Sequence, residues 1–176
     1  MNPRIISASI LILLAGPIVG CSSLPDVKTQ SYARSKDHQT FEYDFPIVWK
    51  AVESALIQTK IIEKDPTHVT TLELQKLSRR SLKTDWIYSQ SRVKYIAYDV
   101  NGYPRKTYLQ NRYKYQVLAE SVLGGVRVQV TTTEEVERLN PQGSPAGYAT
   151  IGEPDPSIAS DLIDKINSEL RSAPPS

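Results

Sequence analysis

Hydrophobic and polar positions change rhythm several times along this chain, and each change marks an element. The first apolar stretch is a block: Ile5 to Leu14 carries no charge, and the uncharged run from Ile5 to Gly20 is sixteen residues long. A helix needs about 20 apolar residues to cross a bilayer core, so this block is too short to span one. Ser22 to Gln39 mixes Ser, Thr, Gln, Lys and Asp with few large apolar residues and cannot bury enough surface to offset its ordering entropy. It is expected to be a flexible tether, able to hold a following domain up to about 60 Å away when extended.

From Phe41 the pattern becomes regular. Phe41, Tyr43 and Phe45 alternate with Glu42 and Asp44, which predicts a strand with one aromatic face, ended by Pro46. Ile47 to Gln58 then places Val48, Val52, Ala55 and Leu56 on one stripe of a helix, with Trp49 beside it and partly buried. Ile61 to Lys64 and Val69 to Leu74 are rich in Ile, Val, Thr and Leu and flank Asp65-Pro66-Thr67, so a hairpin is expected there. Gln75 to Lys83 lacks apolar periodicity and reads as a solvated loop.

Thr84 to Ser121 holds Trp86 and seven of the ten tyrosines, a composition that suits a pleated, half-buried surface. Strands are expected over Thr84 to Ser89 and Val93 to Val100, then an Asn101-Gly102 hairpin turn. Tyr108 to Ser121 follows, with Tyr113, Tyr115, Val117 and Ala119 on one side. Gly124-Gly125 turns into Val126 to Thr133, where Val126, Val128 and Val130 share a face. Asn140 to Pro156 contains seven Gly or Pro and reads as a loop. Asp155 caps a last helix whose Ile158, Ala159, Leu162, Ile163, Ile166 and Leu170 form an apolar face through Arg171. That face needs a cover, and an antiparallel sheet with one apolar side supplies it. The expected fold class is therefore α+β, an antiparallel β-sheet packed by two helices in a single domain.

Composition narrows the chemistry. Loss of residues 1 to 20 removes Arg4 alone, leaving 20 Lys and Arg against 19 Asp and Glu, so no global field favours nucleic acid. One cysteine and two histidines, His38 and His68, leave neither a disulfide nor the ligands for a zinc site. No glycine-rich phosphate cradle, metal-binding helix signature or serine nucleophile between glycines is present, so neither a cofactor nor an enzymatic activity is expected. Lys76, Arg79, Arg80 and Lys83 read as a charged surface rather than a headgroup site. Glu134, Glu135 and Glu137 read as a solvated strand exit rather than a metal or substrate site. The tyrosine-rich face reads as sheet packing before a sugar or peptide platform.

The N-terminal block now acquires a meaning. Arg4, the apolar run, Gly16-Pro17 and the small residue before Cys21 are the parts of an export signal. Ile18-Val19-Gly20-Cys21 resembles the bacterial lipobox, which implies cleavage before Cys21, a lipid on its sulfur and acylation, including palmitate-type chains, of the new amino terminus. Each buried methylene contributes about 0.8 kcal/mol, so two or three acyl chains anchor the chain permanently. Ser22 resembles an outer-membrane sorting signal. The organisation expected is a signal peptide (1–20), a flexible tether carrying lipidated Cys21 (21–39), an α+β domain (40–171) and a disordered tail (172–176).

Phe41 to Leu56, Thr84 to Tyr88, Asn111 to Val117 and Val126 to Thr133, placed behind that lipobox, resemble the helix-grip domain of the BamC (NlpB-type) lipoproteins. This resemblance implies an outer-membrane lipoprotein facing the periplasm, a binding module accessory to β-barrel assembly, with a protein partner in the outer membrane or periplasm. The chain has room for one such domain where the type member has two. The alternative function is a carrier or sensor of a lipid or small apolar ligand in a groove between helix and sheet.

Overall fold

A computed structural model describes residues 26–30, 36–150 and 152–172. The signal peptide, Cys21 and the end of the tail lie outside the described residues.

The described residues form one curled antiparallel sheet of eight strands with three helices. In order these are β1 (Val27–Thr29), β2 (His38–Phe41), α1 (Phe45–Ala55), β3 (Ile61–Asp65), α2 (Thr71–Leu74), β4 (Arg79–Thr84), β5 (Ile87–Val100), β6 (Tyr103–Val122), β7 (Gly125–Leu139), β8 (Pro145–Ala149) and α3 (Pro156–Ser172). The long β6 is the spine. One of its edges pairs with β5 over Tyr103 to Tyr113 and then with β4 over Gln116 to Glu120; its other edge pairs with β7 over Asn111 to Val122. β3 extends the sheet beyond β4, and β7 carries β2 and β8 on its outer edge.

Alternation along β6 and β7 builds the core. Tyr115, Val117 and Ala119 on β6 and Val126, Val128 and Val130 on β7 are buried against Val48, Trp49 and Val52 of α1 and Leu162, Ile163 and Ile166 of α3. The apolar stripe of α3 is buried at each expected position, and the Asp155 carboxylate accepts the Ser157 N–H at 2.9 Å as its cap. Trp49, expected to be partly buried, is fully enclosed. The guanidinium of Arg80 lies 4.7 Å from the Trp49 ring centre.

Several elements differ from their sequence pattern. Phe45 does not continue a strand after Phe41; it opens α1, leaving Tyr43 exposed on the turn while both phenylalanines reach the core. Val69 to Leu74 does not return as a strand against Ile61 to Lys64. Thr70 and Glu73 form a capping box instead, in which the Thr70 hydroxyl accepts the Glu73 N–H and the Glu73 carboxylate accepts the Thr70 N–H. The Thr70 N–H and the Thr70 hydroxyl, which donates to the same carboxylate at 2.7 Å, hold the Glu73 carboxyl below its ordinary value. The real partner of β3 is β4, drawn from a stretch that looked like a charged loop: Arg80 and Leu82 point inward, while Arg79 and Lys83 reach Glu120 and Glu63. Likewise the Gly- and Pro-rich Asn140 to Pro156 contains β8, which pairs with β7.

The stretch expected to be a flexible tether is shorter than its composition suggests. Val27 to Thr29 adds as an edge strand to β5, in register Val27↔Ile96, Lys28↔Tyr95 and Thr29↔Lys94, and the Gln30 N–H donates to Val93 O. Six residue steps separate Cys21 from Val27, a reach of at most about 20 Å.

Candidate functional site

The sheet has two faces, and the helices cover one. On β6 the side chains of Arg112, Lys114 and Gln116 alternate with the core residues and turn away from α1 and α3. Strand pairing sets Tyr88, Arg112 and Glu135 side by side across β5, β6 and β7. Trp86 enters just before β5, and β8 brings Tyr148 opposite Glu137. The result is a patch of aromatic rings and cations. The Arg112 guanidinium lies 4.5 Å from the Trp86 ring centre and 4.8 Å from that of Tyr148, and Lys114 Nζ lies 4.8 Å from Trp86. Tyr88 and Tyr148 meet edge to face with ring centres 6.0 Å apart.

Arg112 is fixed at the centre of this patch. Its Nε donates to Glu135 Oε2 at 2.8 Å, and its second donor reaches the same oxygen at 2.6 Å. The Glu135 carboxylate, with Tyr88 behind it, raises the guanidinium above its ordinary value. Stacking between rings leaves the guanidinium planar face engaged while Tyr88 stays exposed, at 64%. Rigid Trp, Tyr and Arg side chains offer large contact area at low ordering cost, the composition found at the centres of protein interfaces.

A second recess opens on the helix side. A cleft of ≈ 460 Å³ lies between the C-terminal end of α1, α3 and the β5–β6 edge, bounded by Ser54, Ile87, Tyr113, Tyr115, Lys165 and Glu169. Ser54 Oγ donates to Glu169 at 2.7 Å across its mouth. The interior between helices and sheet is filled by Trp49, Leu162, Ile163, Ile166 and Val117.

The structure disperses the charged clusters seen in sequence. Glu134 is buried, accepting from Lys94 Nζ at 2.8 Å, Asn111 Nδ2 at 2.7 Å and the Asp155 N–H at 2.8 Å, whereas Glu135 joins the open-face patch. Both belong to β7, which runs on to Leu139 rather than ending before them. Arg80 is buried and donates to Pro66 O, while Arg79 and Lys83 face solvent. His68 is exposed between β3 and α2. No cluster of His, Cys, Asp and Glu suited to a metal occurs among the described residues. The predicted lipid-attachment residue, Cys21, lies outside the described residues. Among those described, no helix is long and apolar enough to cross a membrane.

Sequence reasoning placed the tyrosines on strands but missed the Arg112 patch. Its signal was the Trp86, Tyr88, Arg112, Lys114 parity, which becomes visible only once the β5–β6 register is known. No family model matches the chain, and no curated protein matches it.

Proposed function

We propose that this protein is an outer-membrane lipoprotein whose domain faces the periplasm and binds a protein partner, in a role accessory to β-barrel assembly like that of the BamC-type lipoproteins it resembles. The observation that carries this reading is the Ile18-Val19-Gly20-Cys21 sequence placed six steps ahead of a strand integrated into the domain sheet. An acylated Cys21 would hold the domain beside the membrane, and the Trp86, Tyr88, Arg112, Tyr148 patch is the surface whose composition best suits a protein partner. Helix-grip packing is part of the same proposal: α1 and α3 lie against one face of an antiparallel sheet. The helix–sheet interior is filled by Trp49, Leu162 and Ile166, so a carrier would use the open cleft bounded by Ser54, Tyr113 and Lys165.

Affinity purification of the full chain from gently solubilised outer membrane tests the reading. Subunits of the barrel-assembly machinery are expected with the native chain, and their recovery is expected to fall about tenfold with Arg112→Ala, the change expected of one hot-spot residue. Recovery of no such subunit from native protein overturns the assembly role. Bound lipid in native mass spectrometry of the same preparation, beyond the chains on Cys21, would favour the carrier.

A further inference from the structure

The β5–β6 hairpin projects past the rest of the sheet. β7 follows β6 only as far back as Asn111, so Tyr103 to Gln110 and the facing residues of β5 form an arm, edged by β1 and closed by the Asn101-Gly102 turn. Asn101 and Gly102 both hold positive φ, 53° and 79°, as a tight two-residue turn requires.

The two faces of this arm differ. On one, Tyr95 and Tyr108 pack with ring centres 5.8 Å apart, and Lys106 Nζ sits 4.4 Å from the Tyr95 ring. On the other, cross-strand pairing aligns Val27 with Ile96, Tyr98 with Arg105 and Val100 with Tyr103. Alternation along β6 shows this to be the face that carries the core further along the strand, at Tyr115, Val117 and Ala119. Among the described residues, the helix-packed core includes no residue of the arm. Tyr98, Val100 and Tyr103 are exposed at 47%, 45% and 69%.

Direction supplies the occupant. β1 runs antiparallel to β5, so its N-terminal end at Val27 points toward the Asn101-Gly102 turn. Four steps of β5, about 13 Å, separate Ile96 from Val100. The six steps from Val27 back to Cys21 allow at most about 20 Å. The acylated residue is therefore leashed to the neighbourhood of the arm tip. Tyrosine rings with an apolar body and a polar hydroxyl favour the headgroup level of a bilayer, and Arg105 beside them suits phosphate groups.

We infer that the arm face formed by Ile96, Tyr98, Val100, Tyr103 and Arg105 lies in the phospholipid interface, a second membrane contact that fixes the domain's orientation. This rests on the lipid anchor at Cys21. The arm adds a second point of attachment to the anchor and turns the rest of the sheet toward the periplasm.

The test uses the mature lipidated chain carrying Tyr103→Trp, reconstituted into phosphatidylethanolamine–phosphatidylglycerol vesicles with and without brominated acyl chains. Flotation and intact mass are read on the same sample. Bromine is expected to remove about half of the emission added by the substitution, as befits an interfacial indole, and much less of that added by Ala97→Trp on the opposite face. A protein that floats and carries its acyl mass but shows no extra quenching for Tyr103→Trp overturns the arm contact and leaves the anchor standing. Shielding of the new indole from aqueous quenchers without bromine quenching also overturns it, and identifies a protein occupant such as a second copy. A chain without acyl mass that fails to float overturns both.

Discussion

Lys94 Nζ lies 2.8 Å from Glu134 Oε2, and both side chains are almost completely removed from solvent, at 1% and 0% exposure. The pair joins β5 to β7 across the intervening β6, whose Asn111 supplies a further donor to Glu134. Lys94 also donates to Glu153 O, and the Glu134 carboxylate accepts the Asp155 N–H, so the start of α3 is tied to the same network. Truncating one partner of a buried pair strands the other charge. Lys94→Met is expected to cost roughly 3 to 5 kcal/mol in chemical denaturation, while Lys94→Met with Glu134→Gln costs less, because the amide keeps an acceptor without a charge. Equal cost for the single and double variants would refute this coupling.

Gly125 opens β7 next to the Phe41–Val126 pairing with β2. A Cβ there would meet Phe41 O at 2.1 Å, and the residue holds φ of 142°. Gly125→Ala is therefore expected to push β2 away and to expose Phe41, lowering stability by about 1 to 3 kcal/mol. Gly124→Ala, which meets no atom within 4 Å, carries only the cost of its positive φ. Thermal melts of the two variants should separate these effects, and equal losses would count against the β2 contact.

Tyr115 gives a prediction for alkaline pH. Burial, with Tyr113 beside it, drives its phenol well above the ordinary tyrosine value of 10.0, and its hydroxyl donates to Ile158 O at 3.3 Å. The folded state thus favours the protonated phenol. Its contribution is complete below pH about 10 and is lost as pH rises beyond that value toward the higher folded one. Tyr115→Phe should cost about 0.5 to 1.5 kcal/mol at neutral pH, the net worth of one hydrogen bond, and should flatten the fall in melting temperature between pH 9.5 and 11, a window taken around the ordinary value. An unchanged alkaline slope would remove Tyr115 from the titration.

The open-face patch separates binding from folding. Trp86 is only half buried and lies outside the core, so Trp86→Ala should shift the melting temperature by no more than about 3 °C while lowering partner recovery from the membrane about tenfold. A large loss of stability with unchanged recovery would assign Trp86 to packing instead.

Cys21→Ser removes the acceptor sulfur of the expected lipid. The variant should appear in a soluble or precursor fraction, and mature variant protein in the outer membrane would refute the anchor.

Much of this architecture is legible as periodicity. α3, the core faces of β6 and β7 and the Asn101-Gly102 turn follow from residue spacing, because a helix or strand with one apolar face can bury it in only one way. The misread elements had local signals that competed. At Val69 to Leu74 β-branched residues suggested a strand, yet Thr70 and Glu73 close a capping box. At Arg79 to Thr84 charge hid a strand whose inward positions are Arg80, Leu82 and Thr84. There the arginine is accommodated by the Trp49 ring, a partner on another element that no local rhythm announces.

The sequence by itself carries the signal behind the proposed address, at Cys21 and its neighbours, and the alternation that makes a sheet and two covering helices. Only the tertiary structure decided what each surface is next to. Strand register brought Trp86, Arg112 and Tyr148 together, buried Lys94 against Glu134 and pointed β1 at the arm tip. Register is a long-range property: it is set by which edges pair across dozens of residues, and local alternation is unchanged when a whole strand finds a different neighbour.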